Sequence, residues 1–133
     1  MQRHTLDIDT SERRTADLTP DLDAFCASLG DGLLNILAPH ATAGLALLET
    51  GSGSEDDLVD ALNRLLPRDD RYRHSHGAVG HGADHVLPAL ISPSLTLPVD
   101  RGRLVLGRWQ RVVLVDLNSD NPLRQVRLTF LQG

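Results

Sequence analysis

The chain contains no lysine; all thirteen of its basic residues are arginine. That absence excludes a Schiff-base lysine, a P-loop lysine and any lysine general base. Cys26 is the only cysteine, which excludes an intramolecular disulfide and any cysteine-built zinc or iron–sulfur site. No stretch approaches the roughly 20 apolar residues of a membrane span. The opening Met1-Gln2-Arg3-His4-Thr5 lacks the apolar core of a secretory signal, so a reduced cytoplasmic setting is expected. Any catalysis must come from histidine, carboxylates, arginine, hydroxyls, the backbone, or a metal held by nitrogen and oxygen.

At 133 residues, 41% of them apolar and 23% charged, the chain reads as one soluble domain spanning residues 1–133. A net charge of −5 argues against a nucleic-acid binder, which needs a basic face. The charge is uneven, however. Residues 1–67 hold twelve acids and four arginines, and residues 68–133 hold six acids and nine arginines. That second half leaves room for a locally basic surface suited to a small anionic ligand.

Periodicity predicts an α+β fold of antiparallel strands with two or three packed helices. Gln2 to Thr10 alternates as a half-buried strand. Thr19-Pro20 reads as a hydroxyl N-cap followed by proline at the first helical position, with Leu22, Phe25, Cys26 and Leu29 inward and Gly30 as the stop. Cys26 is read there as a small buried hydrophobe. Gly32–Ala38 and Gly44–Leu48 are short apolar runs, hence buried strands. A second helix is expected from Ser54, with Glu55, Asp56 and Asp57 at its positive end and Pro67 beyond it. Arg68–Gly82 is irregular, and a further helix is expected near Val86, with Asp84 as its cap or else orienting a neighbouring imidazole. The remaining strands are expected at Leu95–Val99, Leu104–Leu106, Val112–Leu117 and around Val126, Leu128 and Phe130.

Four of the six histidines, His74, His76, His81 and His85, fall within twelve positions. Imidazole is the commonest ligand for zinc-like metals, and His81 and His85 would share a face if that stretch were helical. A solvated loop without a specific role is the alternative. Glu49, at the end of an apolar strand, is a candidate general base. Gly107-Arg108-Trp109-Gln110 contains the only tryptophan; it is either core packing or a turn that aims side chains into a cleft.

These residues occur in a familiar order: His40-Ala41-Thr42-Ala43-Gly44, Glu49, Tyr72-Arg73-His74, Asp84-His85, Ser94 to Val99, and Leu106-Gly107-Arg108-Trp109-Gln110. Together they resemble the YjbQ family, described as secondary thiamine-phosphate synthases, from about Leu33 to the carboxyl end. The resemblance implies a compact α+β homotrimer with a pocket near the subunit boundary. It implies a divalent metal ion, zinc or similar, on His40, His74 and His85. It also implies catalytic positions Glu49, Trp109 and Gln110; on charge grounds Arg73 and Arg108 are the candidates to contact a small anionic or phosphorylated ligand. Departures are Ala41 and Arg108 in place of threonines, and His81 in place of an asparagine. Arg108 either adds an anion contact or obstructs the pocket, and His81 either adds a ligand or shifts the metal preference.

The implied reaction joins a pyrimidine pyrophosphate to a thiazole phosphate and releases pyrophosphate. Departure of pyrophosphate needs positive charge, from a metal or from arginines such as Arg71, Arg73, Arg103 and Arg108. A metal-dependent hydrolase and a non-enzymatic trimeric metal- or anion-binding protein are the alternatives. His40, His74 and His85 are expected to converge on one site, within about one metal coordination sphere.

Overall fold

The computed structural model describes every residue from Met1 to Gly133. Its elements run β1 (Gln2–Asp9), β2 (Thr15–Asp17), α1 (Thr19–Cys26), β3 (Gly32–Leu37), β4 (Gly44–Leu48), α2 (Ser54–Leu65), α3 (His81–Leu90), β5 (Ser94–Asp100), β6 (Arg103–Leu104), β7 (Arg111–Val115) and β8 (Leu123–Gln132). The strands form two antiparallel sheets, one ordered β1-β8-β3-β5-β6 and the other β2-β7-β4. This is the α+β arrangement that the alternating and helical patterns predict.

Alternation explains the layering. In β8, Val126, Leu128 and Phe130 are buried while Gln125, Arg127 and Leu131 are exposed. Register carries that division across the sheet: Leu34 lies opposite Phe130 and Leu97, and Ile36 opposite Leu128. The inward residues pack on Leu45, Val112 and Leu114 of the small sheet and on Leu18, Leu22 and Cys26 around α1. Each fully buried leucine or valine contributes roughly 1.5–3 kcal/mol.

β7 differs, because both of its faces are buried. Val112 and Leu114 face the large sheet, whereas Val113 and Val115 join Leu62 and Leu66 from the α2 region and Ala83 and Leu87 of α3. The continuous apolar run Val112–Val115 is the signature of such a central strand. Three layers result: the large sheet, the small sheet, and the α2–α3 pair. The outer face of the large sheet is covered by no element, and Leu33 and Leu131 are exposed there.

Several local expectations need correction. Thr19 is not the N-cap of α1; Leu18 is, and the Thr19 hydroxyl accepts a hydrogen bond from the Val112 N–H instead. The Thr19 N–H is taken up by Asp17 Oδ1. The strand expected at Leu104–Leu106 is only Arg103–Leu104. Three-residue β2 is too short to leave a periodic trace. Helix α3 begins at His81, five residues before Val86, because Gly80 adopts a left-handed conformation (φ 86°) and turns the chain into the helix.

Where β7 runs on toward β8, a buried ion pair ties the strands together. Arg124 donates to both oxygens of Asp116, at 2.7 and 2.9 Å, and to the Thr42 hydroxyl at 2.8 Å. The Thr10 hydroxyl and the Asn118 N–H complete the shell around Asp116. Such a pair persists in a core only when its remaining hydrogen-bonding capacity is filled in this way.

Candidate metal centre

The early start of α3 places His81 and His85 one turn apart on the same helix face. The preceding loop folds back over that face. The Tyr72 hydroxyl donates to the Pro67 carbonyl at 2.8 Å, and the ring packs among the α2–α3 side chains. Arg68 donates to the carbonyls of Val79 and Leu117. Gly82 lets the loop lie directly on the helix, because a Cβ there would run into the His74 carbonyl and Tyr72.

Four imidazoles therefore meet. Ring centroids are 4.2 Å apart for His74 and His76, 4.3 Å for His74 and His85, and 4.5 Å for His81 and His85. One nitrogen from each of His74, His81 and His85 lies within 4.8 Å of the others. The Nε2 atoms of His81 and His85 are 3.0 Å apart. Two nitrogens bound to one ion at about 2.0–2.1 Å are separated by roughly that distance. His81 Nδ1 donates to Asp120 Oδ2 at 2.6 Å, which leaves Nε2 with its lone pair facing the cluster. A carboxylate behind a ligating histidine is the usual outer support of a metal site.

Electrostatics agree with neutral rings. Partial burial, then the neighbouring imidazoles, lower the proton affinity of His74 and His85 below the ordinary histidine range. The hydrogen bond from His81 holds the Asp120 carboxyl below its usual value. The cavity over the rings is about 80 Å³, above the ~10–15 Å³ that one ordered water needs.

Asp84 does not cap α3. It is 2% exposed, paired with Arg68 at 2.5 and 3.1 Å, and takes a third hydrogen bond from Asn118 Nδ2 at 2.9 Å. Three donors offset the cost of burying the carboxylate.

The expected convergence of His40 with His74 and His85 does not occur within the chain. His81 stands beside that pair, and His40 Nε2 lies against the backbone of Gln125, 2.9 Å from its N–H and 3.1 Å from its carbonyl. His40 borders a separate groove with Asp7, Asp9 and Gln125. The physical reason is its place before β4, beside Thr42 and Arg124, which anchors it to the start of β8. Arg73 is exposed beside His74.

Glu49, Arg108, Trp109 and Gln110 occupy another region. Leu48, just before Glu49, pairs with Arg111, whereas the residues that hold the histidine loop, Leu117 and Asn118, follow the opposite end of β7. The strand between them spans roughly 15 Å at about 3.3 Å per residue. Trp109 is not core; it is 62% exposed, with the Arg108 guanidinium stacked 4.8 Å from its ring centre. Gln110 Oε1 accepts a hydrogen bond from the Gly107 N–H and closes the turn. Asp120, Asn118 and Arg68 carry no local signal in sequence: Asp120 reaches His81 across 39 positions.

The model of the YjbQ-like UPF0047 proteins matches residues 4–133. A UPF0047 protein of Mycobacterium tuberculosis (strain H37Rv) is 61% identical over 133 residues, covering 100% of both chains. The crystal structure of a hypothetical protein from Aeropyrum pernix K1 superposes with a TM-score of 0.87 at 30% identity, covering 100% of both chains. A protein of unknown function from Sulfolobus solfataricus P2 shares the fold, with a TM-score of 0.87 at 21% identity over 99% of each chain. The chain belongs to the YjbQ-like UPF0047 family.

Proposed function

We propose that this chain is a divalent-metal enzyme acting on a small phosphorylated substrate at the His74–His81–His85 centre. The observation that carries the reading is the convergence of three imidazole nitrogens within 4.8 Å, one of them backed by Asp120. The donor set is all nitrogen and suits zinc or a neighbouring transition metal. A bound cation would supply positive charge to phosphate oxygens or to a water. The chain's own groups do the rest. Asp120 keeps the proton on His81 Nδ1, and the exposed Arg73 guanidinium offers paired donors to a phosphate.

The specific reaction favoured by the family resemblance is the thiamine-phosphate-synthase type. A carbon–nitrogen bond forms between a pyrimidine methylene and a thiazole nitrogen as the carbon–oxygen bond to pyrophosphate breaks. A small cavity and the distance to Glu49, Trp109 and Gln110 support a site completed by a second copy of the chain, within a homotrimer. The uncovered outer face of the large sheet, with Leu33 and Leu131 exposed, supports such assembly. The same distance favours a second reading, a non-enzymatic metal-binding protein.

Both readings are testable together. Zinc or cobalt titration should saturate wild type and lose at least about tenfold in affinity in His85→Ala. Pyrophosphate release from the two phosphate substrates should require metal and fall in Glu49→Gln. Saturable binding with release at background in every form would leave the binding protein and remove the enzyme.

A further inference from the structure

Behind the histidine centre, a continuous run of hydrogen bonds passes through one buried amide. Asn118 is 6% exposed, and both polar atoms of its side chain are engaged. Its Nδ2 donates to Asp84 Oδ2 at 2.9 Å. Its Oδ1 accepts from the Asp120 N–H at 2.9 Å and the Asn121 N–H at 3.2 Å. The donor end is thus fixed on a carboxylate and the acceptor end on backbone N–H groups, which settles the orientation of the amide.

Each end reaches the centre by a separate route. Asp84, locked between Asn118 and Arg68, immediately precedes His85 on α3 and so sets the rotation of the helix that carries His81 and His85. Asp120, held by the Asn118 carbonyl, places its carboxylate on His81 Nδ1 at 2.6 Å. One side chain thereby holds both ligands of the helix: their direction through Asp84, and the tautomer of His81 through Asp120. Aspartate in this position would set a negative charge against Asp84, and an aliphatic residue would leave Asp84 and the two N–H groups short of partners.

We propose that Asn118 is a positioning residue for the centre, coupling the buried Arg68–Asp84 pair to the Asp120–His81 pair and thereby setting divalent-cation affinity. The inference rests on the metal reading above. Cobalt(II) titration, followed by visible absorption, tests it on wild type, Asn118→Ala, Asp120→Asn and the double variant, each checked for folding by thermal melt. Asn118→Ala should bind cobalt about 10- to 100-fold more weakly with an altered absorption band, as loss of outer support does elsewhere. Because Asn118 acts partly through Asp120, the double variant should lose less than the product of the two single losses.

Asn118→Ser guards against a folding failure. Its hydroxyl still accepts from the Asp120 N–H but is too short to reach Asp84, so it should fold and still bind cobalt several-fold more weakly. Wild type that takes up no cobalt removes the metal reading itself. Wild type that binds while Asn118→Ser keeps full affinity, or single losses that multiply without coupling, overturns the role of Asn118 and leaves the metal reading intact.

Discussion

His40 and the Arg124–Asp116 pair share one corner of the molecule, and that neighbourhood shapes how His40 titrates. Burial, then the Arg124 guanidinium, lowers its proton affinity below the ordinary value of 6.5. The unfolded chain takes up this proton near 6.5, and the folded chain only at lower pH. Below 6.5 the unfolded state therefore binds more protons, and stability declines as pH falls until the folded value is passed. Denaturant midpoints measured from about pH 7.5 to 5.5 should fall, and the decline should be shallower in His40→Gln. An equal slope in that variant would assign the loss to other groups, such as His74 and His85, whose shifts have the same sign.

The element that matters most to the centre is α3, and its beginning leaves the weakest trace in the sequence. Gly80 and Gly82 look like loop punctuation, yet Gly80 turns the chain into the helix and Gly82 makes room for the His74 backbone. Gly82→Ala should improve helix propensity by about 1 kcal/mol while driving the loop off the helix. The expected outcome is weaker cobalt binding without loss of the fold, measured by titration beside a thermal melt; unchanged affinity would mean that the His74 loop can shift freely. Periodicity revealed the long elements, α2 and β8, because each repeats its inward face over two or more turns or alternations. The i, i+4 spacing of His81 and His85 was visible, but it has meaning only once that segment is helical. Asp120 and Asn118 were not legible, since their partners lie 39 and 34 positions away. Motif order groups His40 with His74 and His85 but carries no distance, and within one chain His40 lies against Gln125.

Taken as a whole, the molecule separates its candidate groups and leaves one broad sheet face bare. No helix is long and apolar enough to cross a membrane. If that face is the contact of the proposed homotrimer, Leu33→Glu with Leu131→Glu should shift the mass measured by light scattering from three chains to one. A mass unchanged at three chains would move the contact to another surface. β7 has a consequence for the molecule's energetics. Val113 and Val115 belong to the layer that carries the histidines, and Val112 and Leu114 to the sandwich beyond it. Loss of the helical layer would expose Val113 and Val115 of the strand the sandwich depends on, so opening of the two layers is coupled. A cation captured at one surface would be recorded as resistance to opening in the sheet on the far side, by mass action alone.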